Sequence, residues 1–409
     1  MSKVRIAVVG AGVAGAIAAK GLAALPDVEL FCFEQADPSD ANNHATALNI
    51  GPNAIATLRT LDPALHQAVV AASYPWRRWR TAMADGELLL DLDLADLAAE
   101  PGIRIRWADL YRVLRAPIEP IVRYRTRVDE LRRQADGRLT IALDDPAGAA
   151  NLGDIDLVIA ADGRFSRLRE RLLGPPQTSY LPVGMFRLLL TDAAPPGIDD
   201  YAQWFIPGPA RLLAYRVPQD GVYIGGAVPL GPALTLDDER KQRDTLRGIF
   251  APPDAAAPCA AFRYLVDAVL AEAERIHWAR QQEIAVAFRD PSGRVLLLGD
   301  AAHAMTTTIG QGATQAVEDA AVVTAIARAA ARDGKLGAVP AWTETIAAIR
   351  APRIDFVMAL SRDATDTLLP GADPVAGTRA KGEPAFLDRL KQVFGSPPDL
   401  ARIGLPRSA

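Results

Sequence analysis

Cysteine and histidine are scarce in this sequence. The 409 residues include two cysteines, Cys32 and Cys259, and four histidines. Two cysteines cannot build the disulfide framework of a small secreted domain, and Cys32 lies in an apolar run that predicts a buried strand. The histidines lie far apart, without the short spacing that is typical of metal ligands. We therefore expect a cytoplasmic protein without a metal site.

The sequence also lacks an excess of one charge and lacks a long apolar run. Its 45 basic and 49 acidic residues give a net charge of −4, which creates no basic field for nucleic acid. No apolar run reaches the length of a membrane span. Trp76 and Trp79 lie among arginines, but in an acidic chain we interpret this cluster as a solvated face or a pocket rim rather than a nucleic-acid stack. We expect no nucleic-acid or membrane partner.

The most informative segment extends from Val4 to Glu34. It begins with a β-branched apolar run, passes through Gly-Ala-Gly-Val-Ala-Gly at residues 10–15, and continues into an alanine-rich stretch of helical character. A second apolar run, from Val28 to Phe33, ends at Glu34. The order of strand, glycine turn, helix, strand and acid indicates a dinucleotide-binding fold.

The spacing of the glycines assigns each of them a mechanical task. Gly10 makes the tight turn, Gly12 lets the backbone approach a pyrophosphate, and Gly15 lets the helix pack closely on the strand. The helix N-terminus then offers free N–H groups to the phosphates. Glu34 lies where a carboxylate accepts hydrogen bonds from ribose hydroxyls. The segment therefore predicts a dinucleotide site.

Two further apolar runs end in a turn that contains glycine and aspartate. The run 156–161 ends at Asp162-Gly163, and the run 294–298 ends at Gly299-Asp300. After the second turn, Gly-Gln-Gly-Ala at residues 310–313 opens a long helical pattern, and its small residues leave the backbone free to approach a ligand. By position alone, the Asp162-Gly163 turn can equally be an ordinary connection from strand to helix.

From Gly174 onward the pattern changes, because proline and glycine become frequent and short runs alternate without crossover helices between most of them. These runs are 183–190, 201–206, 211–217 and 222–228. They predict an antiparallel sheet in a second domain. Residues 236–274 and the chain from Gly312 to about Arg362 have helical patterns, whereas the tail after Pro370 is predicted to be irregular.

Together, the three turns resemble in this order the three signatures of the class A FAD-dependent aromatic hydroxylases, the para-hydroxybenzoate hydroxylase-like flavin monooxygenases. The resemblance extends from about Val4 to Arg362. Weaker family patterns are matched by Gly51-Pro52-Asn53-Ala54, Phe186-Arg187, Tyr215-Arg216-Val217 and Arg350-Ala351-Pro352-Arg353. The last three of these matches are similar to the salicylate and 6-hydroxynicotinate hydroxylase branch.

The resemblance implies an α/β fold. It consists of a Rossmann-like FAD-binding domain with a parallel sheet, an inserted antiparallel-sheet substrate domain, and C-terminal helices. On this basis we assign residues 1–75, 102–177 and 277–345 to the FAD-binding domain, residues 76–101 and 178–276 to the substrate domain, and residues 346–409 to a C-terminal helical segment and tail.

The resemblance also implies which residues bind FAD: Gly10, Gly12, Ala14, Gly15, Glu34, Val128, Asp162, Gly163, Asp300, Gly310, Gln311, Gly312 and Ala313. Val128 would lie near the adenine through its backbone. Asp300 would hold the ribityl and pyrophosphate region, and the backbone of residues 310–313 would face the isoalloxazine. NAD(P)H is expected as a transient co-substrate, because the chain has no second glycine fingerprint. His303 resembles a packing and hydrogen-bonding residue of its turn.

The implied activity is hydroxylation of an electron-rich aromatic or heteroaromatic small molecule by O2, through an FAD C4a-hydroperoxide formed after NAD(P)H reduces the flavin. Arg187 and Tyr215 are the candidate residues on the substrate side, because a guanidinium pairs with a phenolate or carboxylate and a phenol bonds a ring substituent. Both can alternatively pair across the sheet or brace the FAD. The sequence selects neither NADH nor NADPH, and no oligomeric state.

The sequence departs from the family pattern beside the third turn. Ala304, Thr306, Thr307 and Thr308 lie in the segment where relatives usually carry prolines, and Thr314 replaces an asparagine. Trp107 stands where relatives place an arginine or glutamine that faces the flavin. These departures keep open a dehydrogenase or reductase of the same fold, similar to geranylgeranyl reductase. A non-catalytic dinucleotide-binding regulator is a third interpretation.

Overall fold

The computed structural model describes residues 3–39, 46–144, 150–191, 193–199, 201–205, 210–230, 242–252 and 257–404. Its strands are β1 (Val4–Val9), β2 (Val28–Phe33), β3 (Ala47–Ile50), β4 (Tyr74–Trp76), β5 (Arg78–Met83), β6 (Leu88–Asp93), β7 (Gly102–Arg106), β8 (Val122–Arg123), β9 (Arg127–Arg133), β10 (Leu139–Asp144), β11 (Ala150–Ile155), β12 (Leu157–Ala160), β13 (Thr178–Leu190), β14 (Tyr201–Phe205), β15 (Arg211–Val217), β16 (Gly221–Pro229), β17 (His277–Ile284) and β18 (Val295–Leu297).

The helices of the same residues are α1 (Val13–Ala23), α2 (Pro52–Leu61), α3 (Pro63–Ala71), α4 (Trp107–Arg115), α5 (Arg167–Leu173), α6 (Arg243–Phe250), α7 (Ala260–Ala271), α8 (Asp300–His303), α9 (Gly312–Arg332), α10 (Val339–Ala364), α11 (Pro374–Ala380) and α12 (Pro384–Phe394). None of these helices combines the length and the apolar character that a membrane span needs.

A parallel sheet forms the centre of the fold. Its strand order in the described residues is β18-β12-β1-β2-β8, and every neighbouring pair is parallel. Ile6 and Val8 face a core that includes α1 and α9, whereas Ala7 and Val9 face a second core on the other side. Burial of both faces explains why these strands are uninterrupted apolar runs. The α/β class that the sequence predicts is confirmed.

The register of this sheet brings the three sequence turns to one edge. Val9 of β1 lies beside Ala160 of β12, and Ala160 lies beside Leu297 of β18. The turns that follow these strands are therefore neighbours, although they are far apart in the chain. A ligand of an open α/β sheet binds outside the carboxyl ends of its strands, where neighbouring connections leave in opposite directions.

A second sheet faces this edge. Its order in the described residues is β17-β13-β16-β15-β14-β5-β6, with antiparallel pairs except between β14 and β5. The four predicted strands are confirmed within the described residues, which exclude Ile206. Of the predicted helical stretch 236–274, the described residues form α6 and α7. The assigned segment 277–345 includes β17, which pairs with β13, and the domain borders remain a prediction.

The two faces of the second sheet have different partners. Phe186 and Leu188 of β13 pack in a core with Phe250 of α6 and Leu265 of α7. Because side chains alternate along a strand, Arg187 lies on the other face, which is turned toward the parallel sheet. Two smaller sheets, β11-β10-β9 and β3-β7-β4, flank the parallel sheet.

The prediction of an irregular tail is wrong, because α11 and α12 lie after Pro370. Both helices begin with a proline, Pro374 and Pro384, and proline fits the first helical position because its missing N–H has no helical partner there. The Asp373 carboxylate accepts backbone hydrogen bonds at the start of α11. In this tail, proline therefore marks the beginning of helices.

The interpretation of Trp76 and Trp79 as part of a solvated face or pocket rim is also wrong. Both side chains are buried, at 1% and 4% exposure. The ring of Trp76 meets the ring of Phe394 in α12 edge to face, with centroids 5.9 Å apart. The C-terminal helix thus supplies the apolar cover that the tryptophans require.

Candidate active site

A crevice lies between the edge of the parallel sheet and the facing surface of the second sheet. The turns after β1, β12 and β18 form one wall, and side chains of β13 and β15 form part of the other. The predicted site residues that line it are Gly12, Ala14, Gly163, Arg187, Tyr215, Asp300, Gly310, Gly312 and Ala313. The structure therefore brings parts of all three turns and both substrate-side candidates into one crevice.

Gly10, Gly12 and Gly15 have different surroundings. Gly10 has φ +98°, and a Cβ there would overlap the carbonyl oxygen of Ala161. A Cβ on Gly15 would overlap the carbonyl oxygen of Gly10, whereas a Cβ on Gly12 would meet nothing within 4 Å. Gly10 and Gly15 thus permit close packing, and Gly12 leaves space at the crevice for a ligand to reach the backbone.

Gly12→Ala and Gly15→Ala are expected to fail in different ways. The Gly15 variant should lose about 2 kcal/mol of unfolding free energy, because its methyl group is forced against backbone. The Gly12 variant should unfold like the parent chain and bind FAD at least roughly tenfold more weakly, because its methyl group occupies the ligand's space. Urea unfolding and FAD titration of both apoproteins measure the two effects. Equal destabilisation of both variants would contradict this division of roles.

Glu34 lies directly behind the glycine turn. Its carboxylate accepts the backbone N–H of Ala11 at 2.8 Å and that of Ala36 at 2.9 Å. Buried Arg115 of α4 lies 3.4 Å from the same carboxylate and donates from Nε to the carbonyl of Ala11 at 2.8 Å. Sequence reasoning missed Arg115, because it is one of many arginines between Arg104 and Arg133. Its partner Glu34 is 81 residues away in the chain.

Asp162 and Arg169 connect the second turn to the third. Burial raises the pKa of Asp162; its Oδ2 accepts the N–H of Leu168 at 3.4 Å, and its buried Oδ1 has no hydrogen-bond partner among the described residues. Arg169, which sequence reasoning also missed, is buried and donates to the carbonyls of Ala301 and Ala302 at 2.9 Å each. The helix after the second turn therefore holds the backbone of the third.

His303 belongs to a buried polar cluster behind the crevice. Its Nε2 lies 2.7 Å from Oδ2 of Asp319 in α9, and the N–H of Gly299 donates to the same oxygen at 2.9 Å. Arg350 of α10 donates to the other Asp319 oxygen at 2.7 Å and to Glu318 at 2.8 Å. Burial opposes ionisation of Asp319, but His303 and Arg350 hold its pKa down to about 2.

Some predicted cofactor residues lie outside the crevice lining. Gln311 is fully buried and bonds Asn53 and Gln315. Val128 is buried in β9, where it pairs with Leu143. The other predicted residues outside the lining are Gly10, Gly15, Glu34 and Asp162, which lie behind it. Their contacts support the shape of the crevice from behind.

Among the described residues, the substrate-side wall has Arg187 as its cation, between aromatic and apolar groups. Arg187, Tyr215 and Tyr223 come from three adjacent strands, β13, β15 and β16. The two tyrosine rings are stacked, with centroids 4.7 Å apart and planes 22° apart. Burial raises the pKa of Tyr223, and Arg187 opposes that rise. Sequence reasoning missed Tyr223. Its position in the run 222–228 allows it to pair with Tyr215 across neighbouring strands, and this could have identified it.

Trp107 also lines the crevice, beside Tyr111. The two rings lie 5.2 Å apart, and the Arg115 guanidinium lies 4.4 Å from the Tyr111 ring centroid. Burial raises the pKa of Tyr111 to about 12. One face of α4 therefore presents an aromatic surface from the crevice to the glycine turn.

These features fit FAD. The open space at Gly12 and Gly163 lets a pyrophosphate approach the backbone at the N-terminus of α1, which favours anions. Beside Gly163, the buried Oδ1 of Asp162 has no hydrogen-bond partner among the described residues. The crevice then continues to Gly310, Gly312 and the aromatic wall, where a flat ring system finds apolar and backbone contacts.

Comparisons with known proteins also indicate an FAD-binding protein. Residues 3–337 match the FAD binding domain family. The chain is 31% identical over 341 residues to a 3-amino-4-hydroxybenzoate 2-monooxygenase of Streptomyces platensis. The aligned residues cover 80% of this chain and 81% of the relative. It is 29% identical to a 6-hydroxynicotinate 3-monooxygenase of Pseudomonas fluorescens over 78% of this chain and 81% of that protein.

The fold is similar to that of Klebsiella pneumoniae HpxO crystallised with FAD and uric acid, with a TM-score of 0.78 at 23% identity over 96% of both chains. The similarity of the whole structure agrees with the match of the sequence family over most of the chain. This chain therefore belongs to the FAD binding domain family, among the class A FAD-dependent hydroxylases.

Proposed function

We propose that the protein is an NAD(P)H-consuming FAD monooxygenase that hydroxylates a small electron-rich aromatic or heteroaromatic ring. The observation that carries the proposal is the single crevice, which joins the three dinucleotide-fold turns to Arg187 and Tyr215. A ring held against the second sheet would lie beside a flavin held against the turns. The relatives' activities on aminohydroxybenzoate and hydroxynicotinate support this substrate class.

The residues take roles that follow from their positions. The backbone at Gly12, Ala14 and Gly163 receives the pyrophosphate, and Asp300 accepts hydrogen bonds from the sugar-like chain of the cofactor. Glu34 positions the glycine turn through the N–H groups of Ala11 and Ala36, and its contact with ribose remains a prediction. When bound, FAD supplies hydride acceptance from NAD(P)H and activation of O2.

On the substrate side, Arg187 pairs with a carboxylate or phenolate and Tyr215 hydrogen-bonds a ring substituent. Tyr223 lies in contact with both and keeps the cation oriented. Met185 and Leu213 complete an apolar lining that excludes water from the ring. A flat anionic aromatic therefore fits this wall better than a bulky or cationic one.

The decisive experiment combines a spectrum with an oxygen label. Purified protein should show the visible absorption of bound flavin, and a matching aromatic should accelerate NAD(P)H oxidation and gain one labelled oxygen atom from 18O2. A panel of hydroxybenzoates, hydroxypyridines and purines would identify the ring. If no aromatic in the panel accelerates flavin reduction, the proposal is wrong.

Anaerobic turnover separates this function from that of a dehydrogenase or reductase. The threonines at 306–308 motivate that second candidate, because relatives usually carry prolines there. Without O2, a monooxygenase reduces its flavin once and then stops. A dehydrogenase or reductase continues to turn over with a suitable electron donor or acceptor. A colourless protein that binds NAD(H) and no flavin would instead indicate a regulator.

Arg187→Met is expected to lower kcat/KM for a carboxylated substrate roughly a hundredfold, because a charge-assisted pair is lost in a site that excludes water. An uncharged analogue of the same ring should lose much less. Arg80→Met is the matched control, since Arg80 is an exposed residue of the same sheet that pairs with Asp91. Steady-state kinetics with both substrates measure the difference. An equal loss for charged and uncharged rings would assign Arg187 to structure alone.

A further inference from the structure

The segment Thr306–Thr308 is held by side chains of the long helix α10 and the residue after it. Thr306 Oγ1 lies 2.7 Å from Ser361 Oγ, and Thr308 Oγ1 lies 2.6 Å from Thr365 Oγ1. The Ser361 hydroxyl also bonds the Thr306 carbonyl at 3.0 Å. Thr306 and Thr307 line the crevice. These bonds anchor both ends of the segment and leave Thr307 to a different partner.

That partner is Gln281 of β17, which contacts Thr307 twice. Gln281 Nε2 donates to Thr307 Oγ1 at 2.9 Å, and the Thr307 N–H donates to Gln281 Oε1 at 3.3 Å. Gln281 is 3% exposed, whereas Thr307 is exposed at the crevice, so the amide end of both bonds is shielded from water. Two bonds from one amide fix the backbone and the side chain of Thr307 together. They also tie the second sheet to the wall of the crevice on the flavin side.

Thr307 begins the turn that leads to the backbone predicted to face the flavin ring. Its carbonyl accepts the N–H of Gly310 at 3.0 Å, and Gly310 has φ +66°. Gly312 then begins α9. A rotation of the backbone at Thr307 would therefore displace Gly310 and the first residues of α9.

Threonine at this position needs support that proline would not. Proline fixes φ and has no N–H, whereas threonine has a freer φ and an N–H donor. Gln281 accepts from that N–H and so restricts the backbone of this exposed residue. We propose that Gln281 is a positioning residue for FAD: it fixes the turn from Thr307 to Gly310 and so places the backbone of Gly310 to Ala313 against the cofactor. Its effect on oxygen use rests on the proposed monooxygenase function.

The test compares Gln281→Leu with Gln282→Leu. Gln282 is the next residue of β17, is also buried, and lies opposite Tyr180 of β13 in the ladder. FAD affinity of each apoprotein, measured by flavin fluorescence without substrate, should fall roughly tenfold for Gln281→Leu and by less than about twofold for Gln282→Leu.

The same variants have a second readout. With substrate, the fraction of NAD(P)H that appears as hydrogen peroxide should rise in Gln281→Leu and not in Gln282→Leu. If the parent enzyme oxidises no aromatic, the proposed function fails and the FAD affinities alone decide the role of Gln281. If Gln281→Leu does not fold, Thr307→Val, which loses only the hydroxyl bond, should weaken FAD binding about threefold. Parent-like FAD affinity in folded Gln281→Leu, or in Thr307→Val if it is needed, would overturn the proposal.

Discussion

Asp300→Ala should give folded protein that carries almost no FAD. Asp300 begins α8 at the edge of the parallel sheet and lines the crevice. Its carboxylate makes no hydrogen bond among the described residues, so its removal breaks no hydrogen bond of the fold. One or two charge-assisted hydrogen bonds to the cofactor would be lost, which weakens FAD binding roughly a hundredfold or more.

The measurement is the ratio of flavin to protein absorbance after purification, followed by FAD titration of the apoprotein. Asp333→Ala is the matched control, because Asp333 is exposed just after the far end of α9. Its FAD content should equal that of the parent chain. Asp300→Asn should bind FAD with intermediate affinity, because the amide oxygen still accepts a hydrogen bond without the charge. Full flavin content in Asp300→Ala would remove Asp300 from the cofactor site.

The sequence predicted the parts of this site that local sterics and periodicity encode. Gly10 and Gly15 are glycines because a Cβ has no room there, and the spacing alone indicates this. Uninterrupted apolar runs indicated the parallel strands, and alternating runs indicated the second sheet. The side-chain alternation that puts Phe186 in a core also puts Arg187 in the crevice.

The parts that the sequence did not predict depend on partners far along the chain. An arginine in a charged stretch suggests a solvated side chain, yet Arg115 bonds Glu34 from 81 residues away. Arg169 bonds the carbonyl of Ala301 from 132 residues away. The same is true of Trp76, whose cover is a C-terminal helix. Burial of such groups is a property of the assembled fold, so no local pattern encodes it.

Arg350→Met is the second substitution with a large expected effect, and it should lower the free energy of unfolding. Arg350 is fully buried in α10, where its guanidinium bonds Glu318, Asp319 and Gln315. Its removal leaves two buried carboxylates with less compensation, a situation that typically costs about 3–5 kcal/mol. Urea unfolding at pH 7 should show this loss. FAD affinity should fall as well, because Asp319 bonds the N–H of Gly299, the residue before Asp300.

Arg353→Met is the control for Arg350→Met. Arg353 bonds the same Glu318 at 3.0 Å but is partly exposed, and Arg350 remains to compensate Glu318 in this variant. Its cost should be no more than about 2 kcal/mol. Equal losses in the two variants would show that the shared Glu318, rather than the pairing of Arg350 with Asp319, determines the stability of this cluster.

The dependence on pH tests the same pairing by a different route. The pKa of Asp319 is about 2 in the folded protein against an ordinary value of 3.8. A depressed folded-state pKa contributes stability that is fully present above pH 4 and is lost as the pH falls from about 4 toward 2. Arg350→Met removes part of that depression, so the stability gap between variant and parent should narrow across this range. A gap that stays constant down to pH 2 would mean that Arg350 contributes through packing and not through the charge of Asp319.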